Sequence, residues 1–375
     1  MAGIYIHIPF CKKKCYYCDF YTSPQIKNIS TFVEKIIIEL ETRKNYLDNE
    51  KVETIYFGGG TPSLLSFSEL NKILNAIYTN FEVSENPEIT LEANPDDITE
   101  TYVENLQKTD INRFSIGIQS FFDDDLKLMN RRHNSEEAIK SIKLLQTANY
   151  YNISGDLIYG LPKMNGEKWK GNLTLFFELE IPHLSAYHLS YEPNTVFNKY
   201  LKTKKIIPVS EEKSEEFFTI LLEKSSEKKF VQYEISSFAK KGYFSRHNSS
   251  YWQQKKYLGV GPSAHSYNKK ERRWNDKNLQ KYMNRVGEGQ GFYSVENLTL
   301  TDNYNDYLIT SLRTIWGINF DYIKSNFGEK YFDFCNKNSQ KYIISKHLNF
   351  SNKILTLSDK GKFISDKIIE DLFFV

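Results

Sequence analysis

The 375-residue sequence predicts an α/β fold built on a parallel sheet. Along its first two-thirds, six short segments rich in β-branched and aromatic residues alternate with stretches of helical apolar periodicity. Strands that are each followed by a helix pair in parallel, because right-handed crossovers return the chain to the same edge of the sheet. The segments are also short and apolar, which is typical of parallel strands buried on both faces.

The elements follow one another in strict alternation. The predicted strands are Gly3–Pro9, Thr54–Phe57, Glu88–Ala93, Arg113–Gln119, Ser154–Tyr159 and His183–Tyr191. The predicted helices are Thr31–Asn45, Ser66–Asn80, Thr99–Lys108, Ser135–Thr147, Glu167–Leu179 and Glu211–Lys228. Ser66 and Glu69 form a capping-box pattern at the start of the second helix. Polar residues and glycines follow the strands, so we expect the functional site at their carboxyl ends, whether the sheet is doubly wound or an incomplete barrel.

The strand–helix rhythm weakens after Lys229. Residues 230–290 are rich in Tyr, Gly, Ser and Asn. We expect an extension over residues 230–300 that runs over the sheet. A mainly helical module is predicted for residues 301–375, with helices at Leu308–Trp316, Phe320–Phe327 and Phe334–His347. An Ile/Leu strand, a Lys-Gly turn and an amphipathic helix then end the chain, an order typical of a winged-helix-like unit. The expected domains are therefore residues 1–229, 230–300 and 301–375.

Charge and hydropathy exclude several classes of protein. Lys and Arg number 49 against 47 Asp and Glu, a formal charge of +2, which disfavours a nucleic-acid binder, including a transcription factor that uses the C-terminal module. No apolar run reaches the 18 residues that a membrane-spanning helix requires. The lysines near the N-terminus follow a short apolar stretch, which is the wrong order for a signal peptide. We therefore expect a soluble, cytoplasmic protein without a transmembrane segment.

The cysteines point to a metal centre. Of the four in the chain, Cys11, Cys15 and Cys18 fall within eight residues on the loop after the first strand. A structural zinc site normally closes with four ligands, and no fourth Cys or His lies nearby downstream. Three thiolates on a compact loop suit an iron–sulfur cluster and would leave one iron open. Cys335 is expected to be an inert core residue.

The cluster loop and seven segments carry a resemblance to a known family. The Cys-x3-Cys-x2-Cys spacing, with Tyr17 before the last cysteine, resembles the radical S-adenosylmethionine (SAM) superfamily. The segments are YIHIPFC, YFGGGTPSLL, LEANPDD, RFSIGIQSF, NRRH, GDLIYGLP and YEISSFAKKGYFSRHNSSYW. In order and spacing they resemble the oxygen-independent coproporphyrinogen III oxidase group, and within it the HemW-type heme chaperones. The resemblance implies a partial (β/α)6 TIM-like barrel and a [4Fe–4S] cluster whose open iron binds SAM.

The resemblance also implies the residues of the SAM site. They are Tyr5, Tyr17, Gly60, Thr61, Glu92, Gln119, Arg131 and Asp156. From the residues alone, the glycine triplet of which Gly60 is part is either a tight turn or a bare backbone that a ligand approaches closely. If they bind no ligand, the polar side chains at the strand ends are simply solvated, and the Asn-Arg-Arg-His run is an ordinary charged surface. Ser190 and His265 fall where the decarboxylase contacts a second SAM, but the local sequence differs.

Two features of this chain depart from the pattern of the decarboxylating members of the family. The decarboxylating enzymes carry a further cysteine where this chain has Phe20, and only ten residues precede the cluster loop. His247 lies in an HNxxYW segment linked with heme, and a neutral imidazole is a natural ligand for heme iron, although a lone histidine is more often structural. We therefore expect a heme chaperone that binds cluster, SAM and heme, and no catalytic residue is assigned. The alternative is SAM-radical oxidative decarboxylation of coproporphyrinogen III in porphyrin biosynthesis. Heme acceptors, respiratory proteins among them, are the expected partners; peripheral membrane association and a homodimer stay open.

Overall fold

The computed structural model describes residues 1–288 and 291–375. The strands are β1 Ala2–Ile8, β2 Val52–Gly59, β3 Val83–Ala93, β4 Arg113–Gln119, β5 Ile153–Tyr159, β6 His183–His188, β7 Val231–Glu234, β8 Ser237–Ala239, β9 Lys256–Val260, β10 His265–Tyr267, β11 Glu271–Asn275, β12 Tyr293–Asn297, β13 Ile318–Asn319, β14 Leu348–Ser351 and β15 Ile354–Leu357. The helices are α1 Ile29–Thr42, α2 Phe67–Asn80, α3 Glu100–Leu106, α4 Asp123–Leu128, α5 Ser135–Thr147, α6 Gly166–Glu178, α7 Val196–Lys202, α8 Glu211–Glu227, α9 Arg246–Trp252, α10 Leu279–Arg285, α11 Leu300–Leu312, α12 Phe320–Phe327, α13 Glu329–Ile344, α14 Asp359–Lys362 and α15 Ser365–Leu372.

The main sheet has a parallel centre and antiparallel edges. Strands β1 to β6 lie side by side in sequence order and pair in parallel, and β9 adds a further parallel strand beside β1. Beyond β9 lie β10, β11 and β12, and beyond β6 lie β8 and β7. The sheet begins at β12 and ends at β7 without closing. This arrangement confirms the expected α/β fold with an incomplete barrel.

The segment after Lys229 differs from its expected course over the sheet. It contributes β7 to β12 to the two edges of the same sheet. These strands are short, and two of them join the central sheet through partners far away in sequence, β9 beside β1 and β8 beside β6. Hydrophobic periodicity in a window of a few residues carries too little signal to reveal such non-local pairing.

The central elements form where the sequence places them. Strand β4 and helix α5 have the predicted bounds. The capping box at the start of α2 is present, because Ser66 Oγ accepts the Glu69 N–H at 3.3 Å and the Glu69 carboxylate accepts the Ser66 N–H at 2.8 Å. The strands pack their apolar side chains against the surrounding helices in one large buried cluster. Helices α4 and α7, which have six and seven residues, were not predicted.

The C-terminal elements follow the winged-helix order of helix, strand, two helices and a hairpin, here α11, β13, α12, α13, β14 and β15. They enclose a second buried cluster, in which Cys335 is 0% exposed, as expected for a core residue. The expected Lys-Gly turn is instead part of the short helix α14. Ser358 caps the start of this helix, because its Oγ accepts the Gly361 N–H at 3.1 Å. Across the described residues, we find no helix with both the length and the apolar character that crossing a membrane would need.

Candidate functional site

A cavity of about 450 Å³ lies at the carboxyl ends of the central parallel strands. The predicted site residues that line it are Cys11, Cys15, Tyr17, Cys18, Gly60, Thr61, Glu92, Gln119, Arg131 and Asp156. They come from loops and strand ends spread over 146 positions of sequence, from 11 to 156. Parallel strands bring them together because the carboxyl ends of all such strands meet at one edge of the sheet.

The cysteine loop is fixed between β1 and the segment that joins α4 to α5. The Cys11 N–H donates to the Ser23 carbonyl at 3.1 Å, and the Tyr16 N–H donates to the Met129 carbonyl at 3.1 Å. The Asn130 amide donates to the Lys14 carbonyl at 2.9 Å. These contacts hold the loop over the cavity.

The three thiols of this loop suit a cluster of several irons. Each is partly buried and faces the cavity, with Cys11 Sγ lying 3.3 Å from Thr61 Oγ1. Burial raises the pKa of Cys11 and raises the pKa of Cys18 to about 11, so these two thiols would release their protons to solvent at neutral pH only when a metal displaces them. No three Cys, His, Asp or Glu side chains in residues 1–288 and 291–375 are grouped closely enough to hold a single metal ion. Soft sulfur donors in this number fit a [4Fe–4S] cluster.

Arg131 connects the cluster loop to the strand ends. Its guanidinium donates to Cys15 Sγ at 3.3 Å, to Asn94 Oδ1 at 2.6 Å and to the Gly117 carbonyl at 2.7 Å. The neighbouring Arg132 donates to the Asp97 carboxylate at 2.9 Å. The Asn-Arg-Arg-His run is therefore not the ordinary charged surface that its composition also allowed. It places a partly buried positive charge beside the thiols.

Two carboxyl groups lie inside the cavity. Glu92 accepts a hydrogen bond from the Tyr56 hydroxyl at 2.8 Å and one from the Gly59 N–H at 3.0 Å. Burial, together with the nearby charge of Asp156, raises the pKa of Glu92 to about 7. Asp156 accepts from Ser115 Oγ at 3.2 Å, and burial raises the pKa of Asp156 to about 6. Both groups change charge close to neutral pH.

The glycine triplet is required by the protein's own packing. Gly59 has a φ of 108°, which favours glycine, and a side chain there would meet the His7 ring at 2.5 Å. A Cβ on Gly60 would lie 2.7 Å from the Phe10 carbonyl oxygen. The triplet therefore lets the end of β2 approach the end of β1, where the cysteine loop begins.

One residue of the predicted SAM site lies outside the cavity, and two residues that were not predicted line it. Tyr5 does not line the cavity, since its hydroxyl lies 3.1 Å from His7 Nδ1 and its ring packs on Tyr56. The cavity wall includes Tyr187 and His188, which end β6 and were not singled out. The predicted strand ends at Tyr191, three residues beyond the observed end at His188, and so the strand-end rule did not select them.

The remaining residues of the family comparison divide between the cavity and other regions. Ser190 lines the cavity, whereas His265 lies on β10 and stacks on Trp274 with ring centroids 6.2 Å apart. Phe20 is 63% exposed and lies on the cavity wall. An exposed phenyl ring thus stands where the decarboxylases are expected to carry a further thiol.

His247 lies on α9, inside the barrel and away from the cavity wall. It is 1% exposed, its Nδ1 is hydrogen-bonded to Thr54 Oγ1 at 2.8 Å and its Nε2 to the Tyr251 hydroxyl at 2.7 Å. Its ring stacks on Tyr56 with centroids 5.0 Å apart. Burial lowers the pKa of His247 to about 3, so the imidazole is neutral. Both ring nitrogens are engaged within the protein.

Known proteins resemble the chain in sequence and in fold. Residues 5–175 match the radical SAM superfamily. The chain is 32% identical over 337 residues to the heme chaperone HemW of Bacillus subtilis, covering 88% of this chain and 87% of that protein. It is 35% identical over 264 residues to the heme chaperone HemW of Lactococcus lactis, covering 70% of this chain and 69% of that protein.

Among solved structures, coproporphyrinogen III oxidase (HemN) from Escherichia coli, a radical SAM enzyme, superposes with a TM-score of 0.85. The match covers 99% of this chain and 90% of that chain at 22% identity. At this level of identity, the likeness shows a shared fold.

Proposed function

Because the chain belongs to the HemW family of radical SAM proteins, we propose that it is a heme chaperone, which holds a [4Fe–4S] cluster and SAM, binds heme and passes it to acceptor proteins. The observation that carries the proposal is the cavity in which three thiols, Arg131 and two carboxyl groups meet. We also propose that the protein works in the cytoplasm and that respiratory proteins are among its acceptors.

Each side of the cavity has a separate task in this proposal. Cys11, Cys15 and Cys18 hold the cluster, which when bound supplies an iron without a protein ligand to the amino and carboxylate groups of SAM. Glu92 in its ionised form accepts hydrogen bonds from the SAM amino group or ribose. Arg131 keeps a positive charge beside Cys15 and faces the same space. These residues bind and orient SAM without themselves donating or removing a proton.

We propose His247 as a ligand of heme iron. Its neutral imidazole is the ligating form, and ligation requires one of its two hydrogen bonds to break. His247→Ala should shift the heme Soret band and weaken heme binding. Tyr251→Phe is the matched variant, because it removes the partner of Nε2 and keeps the imidazole. An unchanged Soret band in His247→Ala would show that another group binds the iron.

The second candidate function is decarboxylation of coproporphyrinogen III, which needs the same cluster and SAM. Phe20, at the position of the further cysteine, favours the chaperone. Anaerobic incubation of the reconstituted protein with SAM, reductant and coproporphyrinogen III should leave the substrate unchanged when porphyrins are separated by chromatography. Formation of protoporphyrinogen IX would overturn the proposal of a chaperone without this activity.

A further inference from the structure

A second cavity, of about 220 Å³, lies at the opposite end of the barrel from the cysteines. Its walls include Thr54 near the start of β2, Ser249 on α9, and Trp316 between α11 and β13. It is smaller than the roughly 300–1,000 Å³ of pockets that enclose a drug-sized ligand. Its size therefore suits one arm of a large ligand or a small compound.

Ser249 lines this cavity, and its unused hydroxyl is buried behind the cavity wall. The residue is 8% exposed, and its Oγ has no hydrogen-bond partner among the described residues. The adjacent Ser250, on the same helix, donates its hydroxyl to the His247 carbonyl at 2.7 Å. A buried hydroxyl without a partner is costly, so a group that accepts its hydrogen bond would be stabilised there.

The charges around the cavity favour an anion. Arg246 and Lys255 both line it, against the single acid Glu53. Lys255 Nζ is 3.9 Å from the Glu53 carboxylate, and Arg246 uses one nitrogen on the Asn86 carbonyl at 2.9 Å. Lys255 Nζ also lies 3.8 Å from Met1 Sδ. Both contacts of the ammonium group are long, so it can still bind a second, better placed carboxylate.

The cavity wall also includes aromatic rings. Trp316 and Phe244 line the cavity, and the Phe244 ring is held by stacking on Tyr233 with centroids 4.4 Å apart. Flat apolar groups pack well on such rings. The wall also includes Thr54, whose hydroxyl is hydrogen-bonded to His247. Only the Thr54 side chain would therefore separate a ligand in this cavity from the proposed heme ligand.

We propose that this cavity is a second ligand site, which binds a carboxylate attached to a flat apolar group. The carboxylate meets Ser249, Lys255 and Arg246, and the flat group meets Phe244 and Trp316. Two sources share this chemistry, a propionate arm of heme with its pyrrole ring and a separate small aromatic carboxylate. Only the heme source rests on the proposed function.

Benzoate is the probe for the site itself. Calorimetric titration of the reconstituted full chain should show benzoate binding, and Ser249→Ala or Lys255→Gln should weaken it about tenfold, as expected for one lost hydrogen bond to a charged group. Ser225→Ala is the matched control, because Ser225 is also a buried helical serine whose Oγ lacks a partner among the described residues, but it lies outside this cavity. Equal affinity in all four proteins, or no binding to wild type, would overturn the proposal.

Heme titrations then show whether the bound carboxylate is a heme propionate or belongs to a separate compound. If the propionate is the ligand, benzoate competes with heme, and heme dimethyl ester binds more weakly than heme in wild type but not in Ser249→Ala. If heme and its ester bind alike while benzoate binding still requires Ser249, the site takes a separate carboxylate. A protein that binds benzoate in this way and binds no heme would contradict the proposed function and support the second site.

Discussion

Glu92 is the residue whose protonation most directly links the cavity to pH. Its pKa of about 7 lies above its ordinary value of 4.5, because burial disfavours the carboxylate. The unfolded chain therefore releases this proton at lower pH than the folded protein does. The contribution of Glu92 to folding stability therefore falls as pH rises from about 4.5 to 7. Asp156, with a pKa raised to about 6, contributes in the same direction.

Glu92→Gln should flatten this pH dependence, because the amide does not ionise. The measurement is the free energy of unfolding by urea between pH 4.5 and 7, with the exposed Glu85→Gln on the same strand as control. The variant should also bind SAM about tenfold more weakly while its cluster colour stays. The same pH slope and SAM affinity as wild type would contradict the assigned role.

The cysteines give the second prediction at this scale. Replacement of Cys11, Cys15 and Cys18 by alanine should abolish iron binding, whereas the anaerobic wild-type protein should be brown and contain about four irons per chain. Cys335→Ala is the matched control, since that thiol is buried in the C-terminal core. Iron and sulfide analysis decides the outcome, and stoichiometric zinc without iron would refute the cluster.

Residues at strand ends were predictable for a physical reason. In a parallel sheet the position of a side chain at the carboxyl end follows from the strand alone, which is how Glu92, Gln119 and Asp156 reach one cavity. The direction of Tyr5 depends on Tyr56, a contact between strands that no local pattern contains, and on His7 of the same strand.

At the scale of elements, helix α9 depends on a single buried carboxylate. Glu88 on β3 accepts the Arg246 N–H at 3.0 Å and the His247 N–H at 2.9 Å, and it lies 3.9 Å from the buried Arg113 guanidinium. Glu88 thus joins the start of α9 to the sheet and faces the charge of Arg113.

Glu88→Ala should lower the free energy of unfolding by about 3 kcal/mol, because it leaves two helix N–H groups and the buried charge of Arg113 without a partner. Urea denaturation measures the change. Glu85→Ala, at an exposed position of the same strand, should leave stability unchanged. If the two variants unfold at the same urea concentration, α9 is not fixed by Glu88.

The central helices and strands were predictable from periodicity, and the sheet edges were not. Strand β4 has clear apolar periodicity, so its bounds follow from its own residues. Strand β11, with the sequence ERRWN, is mostly half-buried and gains its conformation from β10 and β12. Pairing that depends on neighbouring strands cannot be read from four polar residues and one tryptophan.

At the scale of the whole molecule, the barrel has two ends with different chemistry. The thiols and Glu92 lie at the carboxyl ends of the strands, and the smaller cavity lies at the opposite ends. Tyr56 spans the distance between them, because its hydroxyl donates to Glu92 and its ring stacks on His247. A protein that holds SAM at one end and heme at the other fits this arrangement.

Transfer kinetics test the chaperone function most directly. The heme-loaded protein is mixed with a heme-free b-type cytochrome in stopped flow, and the rate of acceptor reconstitution is followed as the acceptor concentration is raised. Direct delivery predicts a rate that increases with cytochrome concentration, whereas heme-free myoglobin, a scavenger without a docking role, should give a constant rate set by heme dissociation. A rate with the cytochrome that is also constant and equal to that dissociation rate would contradict delivery.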